Sequence, residues 1–127
     1  MMSQRVSALI IAPPGRLRAS LRVLLRASSR IGRVEEADDA HFGLQSIAAR
    51  PPGLVLLDAD LGEDDAWGVL QRLKTDWPQL PCLVLVNNLN QEPMARAAGA
   101  DSVLQAGFTT ETFFSAIDHL LADREKI

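Results

Sequence analysis

Leu54-Val55-Leu56-Leu57-Asp58, introduced by Pro51-Pro52-Gly53 and followed by Ala59-Asp60-Leu61-Gly62, decides how this chain is read. Four apolar residues in a row between turn-forming segments spell a short strand buried on both faces. Such a strand belongs in the middle of a parallel sheet covered by helices. It ends in a carboxylate. In open α/β sheets the ligand crevice lies outside the carboxyl ends of the strands, which puts Asp58 at the site-bearing edge. The plainer alternative is that Asp58 merely starts a turn, as aspartate often does.

Working outward, the same pattern repeats on both sides of that strand. Val6 to Ala12 is a first, near-continuous apolar run, broken by Pro13-Pro14-Gly15. A proline there could open a helix in its first turn. Leu17, Leu21, Leu24 and Leu25 then recur at helical spacing and leave Arg18, Arg22 and Arg26 on a separate face. Ile31 to Ala37 is a weaker strand, and Glu35-Glu36 suits it to a sheet edge. Asp38 or Asp39 can cap a second helix through about Ala49, with Phe42, Leu44 and Ile47 as its apolar contacts. Beyond the central strand, a helix led in by residues 62–65 presents Ala66, Leu70, Leu73 and Trp77 inward and stops before Pro78. Pro81 to Asn87 is a fourth strand of buried type. A short helix within residues 88–98 ends at Gly99, a glycine suited to a helix C-terminus. Asp101 to Gln105 is a short fifth strand, and Thr109 caps a last helix facing inward with Phe113, Ile117 and Leu120. Five strands alternating with five helices imply a doubly wound parallel sheet. With the apolar strands central and the polar or short ones at the edges, the order is 2-1-3-4-5.

The bulk properties agree. A length of 127 residues suits a single domain, with a core over about 6–122 and a polar tail at 123–127. The lone Cys82 leaves no disulfide framework or zinc site and reads as a small buried hydrophobe in a reducing compartment. Val6 to Ala12 is too short for a signal peptide or a membrane span, so a cytoplasmic location is expected. The net charge of −3 hides an asymmetry: up to position 33 the chain carries seven arginines and no acid, and the remainder is strongly acidic. Such segregation speaks to partners rather than to fold.

The Leu54–Asp58 strand, the Ala98-Gly99-Ala100-Asp101 junction and the five-fold alternation together resemble the receiver domain of two-component response regulators. The resemblance covers almost the whole chain. It implies a flavodoxin-like (CheY-like) fold, no enzymatic activity of its own, and an acceptor role for Asp58, the position phosphorylated by a histidine kinase. It also implies a magnesium ion held by acids just after the first strand, but those positions are Ala12 and Pro13. The hydroxyl residue at the end of the fourth strand is Asn87, the aromatic switch position is Val103, and the lysine at the end of the fifth strand is Ala106. No lysine lies between Lys74 and Lys126, so a slipped alignment cannot restore it. A degenerate receiver is therefore expected, with weak or absent magnesium binding and inefficient phosphorylation.

Other signals are bland. Asp60, Glu63, Asp64 and Asp65 read as a solvated helix start, where acids favour the dipole. His41 and His119 have no ligand-spaced partners, and Trp67 and Trp77 face different ways along one helix, with Trp77 toward the core. No glycine-rich phosphate loop and no catalytic triad is present. The expected partner is a protein: a histidine kinase, a phosphotransfer domain or an output domain, with a homodimer also possible. No membrane is expected among the partners, and no nucleic acid for this domain itself. Arg18, Arg22 and Arg26 form the candidate docking stripe, on which charge reversal at Arg18 and Arg22 should slow association and leave folding intact. The competing reading is a flavodoxin-like domain binding a nucleotide or flavin above Asp58.

Overall fold

The computed structural model describes residues 5–61 and 63–125, and for residues 63, 64 and 123–125 the backbone alone. Gly62, in the expected lead-in to the third helix, lies outside the described residues. The elements run β1 (Val6–Ile11), α1 (Arg16–Ala27), β2 (Ile31–Ala37), α2 (Ala40–Ala49), β3 (Leu54–Asp58), a 3-10 turn (Ala59–Leu61), α3 (Glu63–Asp76), β4 (Cys82–Val86), α4 (Gln91–Ala98), β5 (Ser102–Gln105) and α5 (Thr110–Glu125). All strand pairings are parallel and the order is β2-β1-β3-β4-β5.

β3 and β4 are buried along their whole length, and β1 from Ala8 on, because apolar layers cover both faces. Alternation along β3 separates the two layers. Leu54 and Leu56 join Leu21 and Leu25 of α1 and Phe113 and Ile117 of α5, whereas Val55 and Leu57 join Ile47 of α2, Leu70 and Leu73 of α3, and Ala95 of α4. Phe113 is fully buried and stacks on Phe108, with Phe114 edge-on to it.

Local chemistry explains most of the boundaries. Asp39 caps α2 by accepting the Phe42 backbone N–H at 2.9 Å. Thr109 Oγ1 accepts the Thr112 N–H at 3.0 Å at the start of α5. Gly99 ends α4 at φ 114°, where a side chain would be strained and would also strike the Lys74 stem. Four details differ from the sequence reading. Pro14 stands before the helix rather than in its first turn, since Gly15 is the N-cap residue of α1. Phe42 is 56% exposed: the inward positions of α2 are Ala40, Gly43, Leu44 and Ile47, and Phe42 lies off that stripe. Trp77 is only half-buried, packed against the core from the end of α3, while Val69, unmarked in the sequence, is fully inside. Finally, α5 runs to Glu125, so the tail expected from 123 is helical that far, and positions 126 and 127 lie outside the described residues.

Candidate functional site

The registers bring the sequence-marked positions to one edge. Ile11 pairs with Leu57, so Ala12 and Asp58, each one residue further on, lie one strand spacing apart, about 4.8 Å. Asp58 also pairs with Leu85, and the Ala106 N–H donates to the Val86 carbonyl at 2.8 Å. Asp58, Ala12, Pro13, Asn87 and Ala106 thus converge at the carboxyl ends of β3, β1, β4 and β5. Val103 lies lower on β5, half-buried, opposite Val84.

Asp58 is only 5% exposed. Its carboxylate Oδ1 accepts the Asp60 backbone N–H at 2.9 Å. Burial raises its pKa above the usual carboxylate range. The Asp60 hydrogen bond pulls the other way, and the nearby Asp60 charge adds to the rise. No ion pair to Asp58 occurs among the described residues. Among those residues the carboxylate has no counter-ion in the crevice wall.

The cation closest to this edge in the hydrogen-bond network belongs to Arg18, and it is already engaged. Its Nη1 donates to the Ala12 carbonyl at 3.2 Å and pairs with Asp38, while its Nε lies 3.2 Å from Glu36. Arg22 holds the other Glu36 oxygen at 2.8 Å. The arginine stripe is corrected by this network. Of Arg18, Arg22 and Arg26, the first has 16% and the second 40% of its side-chain surface exposed, both paired to acids at the end of β2. Only Arg26 is open. Arg18 and Arg22 are therefore engaged within the domain, where the spacing alone suggests an open stripe.

Around the rest of the crevice, Asn87 is exposed and its backbone N–H donates to the buried Gln91 side-chain oxygen at 2.7 Å. Asn88 Oδ1 accepts the N–H groups of Asn90 and Gln91 at 3.0 and 3.1 Å. On the outer side, Glu92 takes a hydrogen bond from Gln105 at 2.9 Å and another from Arg96 at 3.2 Å. Those bonds hold its carboxyl below the usual range. Asn88, Gln91 and Glu92 passed unnoticed in the sequence, where a Gln-Glu pair at a helix start looks generic. His41 and His119 are exposed, and Cys82 is fully buried with its thiol pushed up to about 12 by burial. Trp67 packs against the core from α3, and its buried indole N–H has no hydrogen-bond partner. Among the described residues, no three His, Cys, Asp or Glu side chains gather as a metal site. Among the same residues, no helix is long and apolar enough to cross a membrane.

Comparison with known proteins agrees with this geometry. Residues 9–118 match the response regulator receiver domain family. No curated protein sequence matches the chain. Among solved structures, a response regulator from Chloroflexus aurantiacus J-10-fl is 21% identical with a TM-score of 0.86, covering 94% of this chain and 99% of that one. A CheY-like receiver domain protein from Methanospirillum hungatei JF-1 is 21% identical with a TM-score of 0.82, covering 98% of each chain. NtrX from Brucella abortus, solved with ADP, is 22% identical with a TM-score of 0.84. The match covers 96% of this chain and 27% of that longer one.

Proposed function

The chain belongs to the response regulator receiver domain family of two-component signalling, and on that premise we propose that it works as a protein-interaction module whose Asp58 is a poor phosphoryl acceptor. The observation that carries the reading is Asp58 itself: a buried carboxylate at the crevice edge, held by the Asp60 backbone N–H and with no ion pair among the described residues.

Phosphoryl transfer depends on positioning and on neutralising the charge of the transferred group. Magnesium supplies that neutralisation in receivers, and the donor set here does not fit it. The ion wants several hard oxygens in near-octahedral array. Ala12 and Pro13 offer no side-chain oxygen, the Ala12 carbonyl is occupied by Arg18, and Asp58 and Asp60 alone make a thin site. At the end of β5, Ala106 has no charge to offer. Asn87 could add one neutral hydrogen bond of about 0.5–1.5 kcal/mol. That is small beside the roughly 2.7–4 kcal/mol that a single preorganised electrostatic group contributes to a transition state.

The α1 side supports a docking role in altered form. Ala19, Ser20, Val23 and Leu24 form a shallow patch with Val23 65% exposed, and Arg16 and Arg26 are exposed on the same helix. An apolar centre beside unshielded cations suits an acidic protein surface, such as a kinase or phosphotransfer domain of the pathway. The nucleotide or flavin reading is not favoured, because Pro13 and Pro14 provide no backbone donors after β1. Incubation with acetyl phosphate and magnesium, read by intact mass, tests the acceptor claim: little or no phosphoprotein is expected, and stoichiometric labelling lost in Asp58→Asn would refute it.

A further inference from the structure

The loop joining β4 to α4 closes on itself. Gln91 is the first residue of α4, is 5% exposed, and turns its side-chain oxygen back to the Asn87 N–H at 2.7 Å. From the other direction, Asn88 Oδ1 receives the N–H groups of Asn90 and Gln91, and the Asn88 carbonyl also receives the Gln91 N–H at 3.3 Å. Side chains thus satisfy three donors that would otherwise be free to turn toward a ligand. A second set of contacts pins the body of α4. Glu92 bridges Gln105 of β5 and Arg96 of α4, and Gly99 with Ala100 closes the far end on the Arg96 and Ala95 carbonyls. Both ends of α4 and its β5-facing side are therefore fixed from within the domain.

We infer that Gln91 is a positioning residue that latches the β4–α4 loop, so that Asn87 and the α4–β5 side keep one arrangement whatever occurs at Asp58. A buried amide can hold this role because breaking the bond costs the Asn87 N–H the acceptor that the fold provides for it. For the backbone of the loop to respond to the crevice, the Gln91–Asn87 bond would have to break before the Asn87 N–H met a new acceptor. A surface latched in this way presents a partner with a fixed shape. The inference deepens the interaction-module reading and rests on it only in taking Asp58 as the place where a signal would begin.

The test uses three proteins and two measurements. Gln91→Met fills similar space without an acceptor, and Gln91→Glu restores an acceptor oxygen. Native-state hydrogen exchange at Asn87 should accelerate about tenfold in Gln91→Met and return near the wild-type rate in Gln91→Glu. Loss of packing alone would move both variants together, and an unchanged rate in Gln91→Met would overturn the latch. NMR relaxation dispersion on the wild type gives the second reading: residues 87–98 should show no microsecond-to-millisecond exchange, and exchange there would overturn the latch without touching the acceptor claim. Efficient phosphorylation of Asp58 with those amides unmoved would refute the acceptor claim and leave the latch standing.

Discussion

Replacing Asp58 by asparagine should make the protein more stable. The substitution keeps the shape and the oxygen that accepts the Asp60 N–H, and it removes a charge that is 5% exposed with no ion pair among the described residues. A buried ion carries an effective desolvation penalty of several kcal/mol. Exchanging a charge-assisted bond for a neutral one returns about 1 kcal/mol of that. At a crevice edge that still meets solvent, a net gain of about 0.5–2 kcal/mol follows, the size common for a single stabilising substitution. For a domain of this size each kcal/mol moves Tm by about 3–5 °C, so the expected rise is about 2–10 °C. The sign with pH is fixed. The folded-state pKa of Asp58 lies above its ordinary value of 3.8, so its favourable contribution is complete below that value and is lost as pH rises through the raised one. The advantage of Asp58→Asn should therefore be largest at neutral pH and shrink toward zero below about pH 3.8. Thermal unfolding followed by circular dichroism at pH 7 and pH 3.5 measures it. Equal or lower stability of the variant at pH 7 would mean that a cation compensates Asp58, and the premise of a bare carboxylate would fail.

Three further outcomes follow from the packing and ion pairs. Arg18→Met should cost about 1–3 kcal/mol in urea unfolding, between the values for exposed and buried pairs, because it removes the links to Asp38 and the Ala12 carbonyl and leaves Glu36 to Arg22 alone. Gly43→Ala should lose about 1–2 kcal/mol despite the better helix propensity of alanine, since its Cβ would stand 2.6 and 2.9 Å from two Ile11 carbons, and a neutral or stabilising result would show that Ile11 can move. Cys82, fully buried with its thiol near 12, should resist a thiol-reactive disulfide reagent in the native protein and react at once in denaturant.

The sheet was legible because buried parallel strands announce themselves as unbroken apolar runs, as Leu54–Asp58 does, while the polar Ile31–Ala37 strand was marked by its Glu35-Glu36 as an edge, where it stands. The place of Asp58 at the crevice edge was legible for the same reason, being the residue where the central run ends. What the sequence hid is non-local. Arg18, Arg22 and Arg26 look like one solvated stripe by spacing, yet Glu36 and Asp38 lie 14 to 20 positions away and reach α1 only because β2 pairs beside β1. Phe42 was misassigned because a ten-residue helix with a glycine at its closest approach carries too weak a stripe to orient it. Gln91 gave no signal, since its value comes from burial against Asn87 rather than from its type.

The claim that Asp58 stands in a crevice without the means to hold a phosphoryl group is tested most directly by beryllofluoride and magnesium, a stand-in for the phosphorylated acid, titrated into the protein and followed by amide NMR. Nearly unchanged spectra at millimolar concentrations are expected, because neither Ala12 and Pro13 nor Ala106 can secure the metal or the added charge. A saturable shift spreading from Asp58 across β4 and β5, and absent in Asp58→Asn, would contradict the account.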